Sequence, residues 1–479
     1  MGRGRLAVVV RIGFLAVALA VLGSPARAAD GGLELWVDGA NAGCSDALAR
    51  EQVTASTPWC TIAAAAAGAR AGDTVWIAPG RYVGGIRPAS SGSADTPIRY
   101  VAAADGVTID ANGDAVGLKL IGVSYLDFAG IAITRAASQG VYIDSSSDLL
   151  LTRMQITGNG GHGIQLRASG VTVSASTISS NAIAGIQERA GSNGNRYADN
   201  TIASNGHDGY AYSGDGIQLN GTGAVVSGNS VTGNGDPGPY EHGIYAASAA
   251  SNYVIESNSL SLNAGSNVKA AGSNGIVRYN RIGDSRLGLV VSDNAVPVTA
   301  YYNVIAGRFQ HAVFLTTDRT PARARLWNNT IVQQGRLTTS GEASAVFVNS
   351  AASLDFRNNL VCYAGDDNLG VSLWVNDASL LGSLLSDTNW FCSRDSRKRH
   401  LAWNGTRVTL SAWRSKSGQD ARSIASSPPT FDAQWRVVSD NLGRARGQQL
   451  GLSRDFLGDP VPSAGNPDVG AFQSPTASS

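Results

Sequence analysis

Between about Gly163 and Ala271 the chain gathers side chains able to bind polar ligands and move protons: Arg167, Arg189, Asp215, Gln218, Asn220, His242, Tyr245 and Lys269. Gln187 and the acids Asp208 and Glu241 fall in the same run. An imidazole, a phenol, an amine and carboxyls cover both halves of acid–base chemistry, while arginines and amides supply hydrogen-bond donors. Tyr210, Tyr212 and Tyr240 add rings able to lie against the apolar face of a sugar. The set fits a polysaccharide better than any other ligand class. Each residue alone is an ordinary turn or surface residue, so the case rests on their recurrence at matching positions of a repeat.

That repeat is a short strand opening on a small residue: Gly140-Val-Tyr-Ile, Gly163-Ile-Gln-Leu, Gly185-Ile-Gln-Glu, Gly216-Ile-Gln-Leu, Gly243-Ile-Tyr-Ala, Asn267-Val-Lys-Ala, Gly288-Leu-Val-Val, Ala312-Val-Phe-Leu and Ala345-Val-Phe-Val. A second element keeps step with it, opening on Asn200, Asn229, Asn258, Asn280, Asn303, Asn329 and Asn359. A period of about 22 residues is too short for a helix and a strand pair, but it fits one coil of a solenoid of strands. The expected fold is therefore all-β: a single-stranded right-handed parallel β-helix of about 11–12 coils, stacked at ~4.8 Å, with the asparagines laddered at a turn. The coils are expected over 86–385, between an N-terminal cap (29–85) containing a helix at Ile62 to Ala69 and an irregular C-terminal cap and tail (386–479). Strand alternation sends Tyr142, Gln165, Gln187, Gln218, Tyr245, Lys269, Val290, Phe314 and Phe347 outward, flanked by His162, Asp215, His242 and His311. The longest early coils carry extra residues, His207 to Gly214 and Gly235 to Glu241, which lead into Asp215 and His242.

Composition narrows the function. Arg3, Arg5 and Arg11, an apolar run Ile12 to Gly23 and Ala26-Arg-Ala28 form a secretory leader over 1–28, so the mature chain is expected outside the cytoplasm with no membrane span. Loss of the leader's four arginines takes the formal charge from +1 to −3, which argues against a nucleic-acid partner. Four cysteines allow three pairings; the local one, Cys44 with Cys60 and Cys362 with Cys392, each closing a loop in an oxidising compartment, is expected, and a metal site is the weaker reading because neither pair has C-x-x-C spacing. The protein is expected to act as a monomer.

Leu35-Trp-Val-Asp-Gly, then Thr61-Ile-Ala-Ala-Ala-Ala-Ala-Gly-Ala-Arg-Ala-Gly-Asp-Thr-Val-Trp-Ile-Ala-Pro-Gly-Arg-Tyr82 and Pro97-Ile-Arg-Tyr100, resembles the opening of extracellular right-handed β-helix proteins, including the family-nine polysaccharide lyases. The ending Asp455-Phe-Leu-Gly-Asp-Pro and Asp468-Val-Gly-Ala-Phe resembles a tail of such secreted proteins. The resemblance implies β-elimination on a uronate polymer, with Lys269 as the base and Arg189, His242 and Tyr245 lining its subsite. The outward columns offer Arg167, Gln187, Gln218 and Asn220 as substrate contacts, and the resemblance implies calcium at Asp208, Asp215 and Glu241, although the family's fuller cluster of acids is reduced here. His242 with Tyr245 is a second base and acid pair, as a uronate C5-epimerase would use, but that class's Asp-Pro-His motif is absent. A glycoside hydrolase would need paired outward carboxylates, which the columns lack. A non-catalytic polysaccharide-binding or surface protein is the remaining alternative.

Overall fold

The computed structural model describes residues 32–207, 214–317, 319–335, 344–365, 370–376, 378–395, 397–439 and 441–474. The expected leader, Asp208, Tyr210 and Tyr212 lie outside them. Apart from an antiparallel hairpin of Leu401–Trp403 with Thr406–Val408, strands pair in parallel with the strand one coil earlier and one coil later, giving a 26-stranded sheet and a 14-stranded sheet wound around one core. Inside, Ile164, Ile186, Ile217, Ile244 and Val268 stack on one another, each fully buried.

The small residue that opens each strand has a steric cause. A Cβ on Gly163, Gly185, Gly216 or Gly243 would lie 2.6–3.0 Å from the amide nitrogen of Asn181, Asn205, Asn234 or Asn263 and 2.5–2.7 Å from the carbonyl oxygen of the next coil's opening residue, so the asparagine and that carbonyl together take the space a side chain would need. These asparagines form a ladder of their own. Asn159 donates to Asn181 at 2.8 Å, and the chain continues through Asn205, Asn234 and Asn263 at 2.9 Å each. The second ladder runs from Asn200 through Asn229, Asn258, Asn280, Asn303, Asn329 and Asn359 to Asn389 at 2.9–3.2 Å, as the sequence led us to expect for its first seven members. Each amide also bonds backbone groups that bend out of the sheets, so the turns keep their polar groups satisfied in a dry interior.

Parallel pairing extends beyond 86–385 at both ends. Glu34–Val37 pairs with Thr74–Ile77, which pairs with Ile98–Ala102, and at the far end Leu401–Trp403 and Ile424–Ser426 join the two sheets. These strands bury alternate residues, Leu35 with Val37 and Val75 with Ile77, but lack the glycine and asparagine signals of the later coils. The helix Ile62–Gly68, opened by Thr61 accepting from the Ala64 N–H, buries Ile62, Ala65 and Ala66. The C-terminal segment lies along the late coils: Ala471 N–H bonds Thr330 and Asn358 bonds Gln448, while Asp455 and Asp468 each accept several backbone N–H groups of the tail.

Both local cysteine pairs are disulfides. Cys362 and Cys392 are in-register neighbours in adjacent coils, whereas Cys44–Cys60 closes a separation of 16 residues in the cap. Replacing Cys44 and Cys60 by serine is expected to cost about 3 kcal/mol of cap stability. A thermal unfolding midpoint unmoved by that double substitution would contradict it.

Candidate functional site

The outward column exists as a continuous register line. Tyr142, Gln165, Gln187, Gln218, Tyr245, Lys269, Val290, Phe314 and Phe347 are cross-coil partners in that order. Its centre is an amide ladder on the surface: Gln139 donates to Gln165 at 3.1 Å, Gln165 to Gln187 at 2.6 Å and Gln187 to Gln218 at 2.9 Å. The ladder leads to Tyr245, and the Lys269 ammonium nitrogen lies 5.3 Å from the centre of that ring.

Lys269 is held from below by the interior. The first asparagine ladder ends in its strand, where Asn263 donates to Asn267 at 2.9 Å and Asn267 donates to the Gly283 carbonyl at 2.7 Å. Ser266, at the head of the same strand, meets Nδ1 of His242 at 2.9 Å. The His242 ring in turn packs edge-on to Tyr245 at 5.3 Å, so Tyr245 is fixed between an imidazole and a cation.

The flanking residues do not face the surface as their place beside the outward column led us to expect. Asp215 and His242 are 3% exposed and Ser266 is fully buried. The pairing keeps one register there, His242 matching Ser266 and Ile244 matching Val268, so His242 and Ser266, each two residues before a core residue, share its buried side. Burial, helped by the charge of Lys269, holds the His242 imidazole down to about 3, hence neutral. Burial pushes the Asp215 carboxyl up to about 8; the His242 N–H, 2.7 Å from Oδ1, opposes the rise and Glu241 adds to it.

Asp215 therefore has a stability signature. Its folded value lies above its unfolded one, so its contribution is complete below about pH 4 and is lost as pH rises toward about 8. Asp215→Asn keeps the acceptor but cannot ionise, and should raise stability at pH 8 by on the order of a few kcal/mol while matching the parent at pH 4. Thermal unfolding midpoints across that range check it; an unchanged slope would refute the assignment.

The other expected residues separate into groups. Arg167 is tied to Asp144 by bonds of 2.7 and 3.1 Å, while the Arg189 side chain is exposed and makes no hydrogen bond or ion pair with a described residue. Between Gln187 and Arg189, Glu188 turns into the core and accepts from Asn195, Tyr197 and the Gly221 N–H, which pins the strand; burial raises its pKa. Asn220 donates to the Glu188 carbonyl, so its amide joins two coils. Tyr240 is 53% exposed on the longer turn before His242.

Calcium takes six to eight oxygen ligands. Of the acids considered for it, Asp208 lies outside the described residues. Asp215 is engaged by His242, Glu241 accepts from the Asp236 N–H through one oxygen, and its other oxygen is buried with no partner. Among the described residues no three His, Cys, Asp or Glu side chains gather as a metal site, so the described acids alone do not make a calcium cage.

Sequence reading missed Lys119. It is the partner of Tyr142 in the next coil toward the N-terminus, and Gly117-Leu-Lys-Leu carries the same opening motif, 23 residues before Gly140.

Two family models match: "Pel9A-like, right handed beta helix region" over residues 44–276 and "Right handed beta helix region" over 215–380. With parallel coils throughout, this decides the architecture. The chain is a right-handed parallel β-helix. The β-helix is similar to the solved structure of XylC with xylose, at 11% identity and TM-score 0.56, covering 92% of this chain and 98% of that one. Pectate lyase Pel9A (14% identity, TM-score 0.44, 92% and 96% covered) and the Azotobacter vinelandii mannuronan C-5 epimerase AlgE6 A-module (13%, 0.47, 77% and 93%) also match. At these identities the likeness is one of fold. No curated protein matches the sequence. No helix among the described residues is long and apolar enough to cross a membrane.

Proposed function

We propose that this β-helix is an exported carbohydrate-active enzyme, a polysaccharide lyase that cleaves a uronate-containing polymer by β-elimination. The observation that carries the reading is Lys269 set over the Tyr245 ring, at the end of a surface row of amides. The match to the Pel9A-like model spans both residues and supports it.

In the proposed reaction the Lys269 amine, in its neutral form, takes the proton from C5 of a bound uronate. The electron pair left on C5 forms the C4–C5 double bond as the C4–O bond breaks, and the Tyr245 hydroxyl donates a proton to the departing oxygen. Arg189 and the outward N–H groups of Gln187 and Gln218 bind the substrate's anionic and hydroxyl oxygens. His242 is a positioning residue: buried and neutral, it fixes the Tyr245 ring and ties it to Ser266 in the lysine's own strand. Hydrolysis is disfavoured because no carboxylate stands in the outward column from Tyr142 to Phe347; Asp215 and Glu241 are buried and Asp144 is bound to Arg167.

Incubation with pectate, alginate, glucuronan and glycosaminoglycans, with and without calcium, should yield the ultraviolet absorbance of an unsaturated uronate with at least one of them. Absence of that absorbance from all would sink the lyase reading. Reducing ends without it would mean hydrolysis, and retention on a polysaccharide gel without turnover would mean a binding protein.

A further inference from the structure

The register line does not stop at Tyr142. Lys119 is Tyr142's partner, and the Ile86–Leu118 bridge sets Arg87 beside Lys119 one coil earlier. From Lys119 to Lys269 the outward column reads Lys, Tyr, Gln, Gln, Gln, Tyr, Lys, with every adjacent pair in parallel register. Six coil steps separate the two lysines, about 29 Å at the usual strand spacing. The column itself holds no acid.

The charges beside it are unequal in use. Arg167 is occupied by Asp144, which also lies within electrostatic reach of Arg189. Lys119, Arg87 and Arg189 make no side-chain hydrogen bond or ion pair with any described residue, and Arg87 and Arg189 are exposed. Asp114, near the head of this row, is held by the Gly85 N–H. In the three-glutamine centre Gln165 and Gln187 each spend one N–H and the oxygen on the ladder and Gln218 spends its oxygen, leaving at least one N–H per coil for a ligand. The surface is thus a row of donors with cations at its far end, in its middle and at the reacting end.

The opposite half of the column differs. Phe314 and Phe347 stack nearly parallel at 5.5 Å, and Phe347 meets Trp374 edge-on at 6.0 Å, so these rings cover one another's faces and offer little ring face to a sugar.

We infer that an acidic polysaccharide chain lies along the column from Lys269 toward the N-terminal coils, over the glutamine ladder, and that Lys119 with Arg87 anchors its distal carboxylates about six sugar units from the reacting one. The inference rests on the proposed function for the direction of its reacting end, and adds the length and side of the groove. Charge complementarity carries it, together with a coil spacing close to the length of one pyranose unit. Lys119 is a binding residue far from the chemistry.

Chain-length dependence tests this. In the Lys269→Ala background, affinities are measured by affinity electrophoresis for polygalacturonate and alginate oligomers of about three and about nine units. Lys119→Gln should weaken the long oligomer about five-fold, leave the short one bound as before and lose its effect at high salt, and Lys119→Arg should restore long-chain affinity. Equal long-to-short affinity ratios with and without Lys119 would overturn the inference, as would failure of both oligomer series to bind. A lyase reading that fails alone looks different: the long-chain advantage persists while no unsaturated product forms.

Discussion

Lys269→Ala should lower the initial rate of unsaturated-product formation by about 10²- to 10⁴-fold, the range expected when a positioned general base is removed. Polymer binding should fall far less, because Gln187, Gln218 and Arg189 remain in place. Two companion variants separate a base from a mere charge. Lys269→Arg keeps a cation over the Tyr245 ring, but a guanidinium does not give up its proton at working pH. If arginine restored the rate, the lysine would be an electrostatic anchor and the base would lie elsewhere. Tyr245→Phe keeps the ring that meets both Lys269 and His242 and removes only the hydroxyl, so its loss of rate measures proton donation to the leaving oxygen. A phenylalanine variant as active as the parent would reassign that acid.

The surface column was legible because two local signals coincide in each coil. A glycine opens the strand where a buried asparagine amide and the next coil's carbonyl fill the Cβ space, and a single outward residue follows between two apolar ones. Those signals fix which residues stack, so Gln165, Gln187, Gln218, Tyr245 and Lys269 could be lined up before any coordinates. Three things were not legible. The ladder of Asn159, Asn181, Asn205, Asn234 and Asn263 was hidden because no common triplet follows these residues, unlike the Asn-x-Ile or Asn-x-Val pattern of the second ladder. The burial of Asp215 and His242 was missed because their polar types suggested the surface, although each stands two residues before a core isoleucine, Ile217 or Ile244, and shares its side of the strand. The unequal roles of Arg167 and Arg189 depend on Asp144, 23 residues before Arg167, reaching one guanidinium and not bonding the other.

The largest structural effect is expected at Asn229, in the middle of the second ladder. Its Oδ1 accepts from the backbone and side-chain N–H groups of Asn200 at 2.9 and 3.0 Å, and its amide donates to Asn258, to the Tyr197 carbonyl and to the Ser227 carbonyl. Asn229→Ala removes one side-chain amide and strands groups on both neighbouring coils, in an interior without competing water. The loss should be about 3 kcal/mol or more, read as a lower midpoint of urea unfolding. Asn229→Asp tests the direction of the ladder: it keeps the acceptor facing Asn200 but sets a carboxylate against the Asn258 oxygen, so it should be no better than alanine at neutral pH and should recover in acid. The far end of the ladder obeys the same polarity. Asn389 donates to Asp420, which also accepts from Ser386, Ser423 and the Trp413 indole, so an acceptor-only group closes a chain of donors. Because each coil touches only its neighbours, the damage at Asn229 should stay near coils 200–258 and appear there first as hydrogen exchange. Uniform exchange along the whole helix would instead mean that the ladder acts as one cooperative unit.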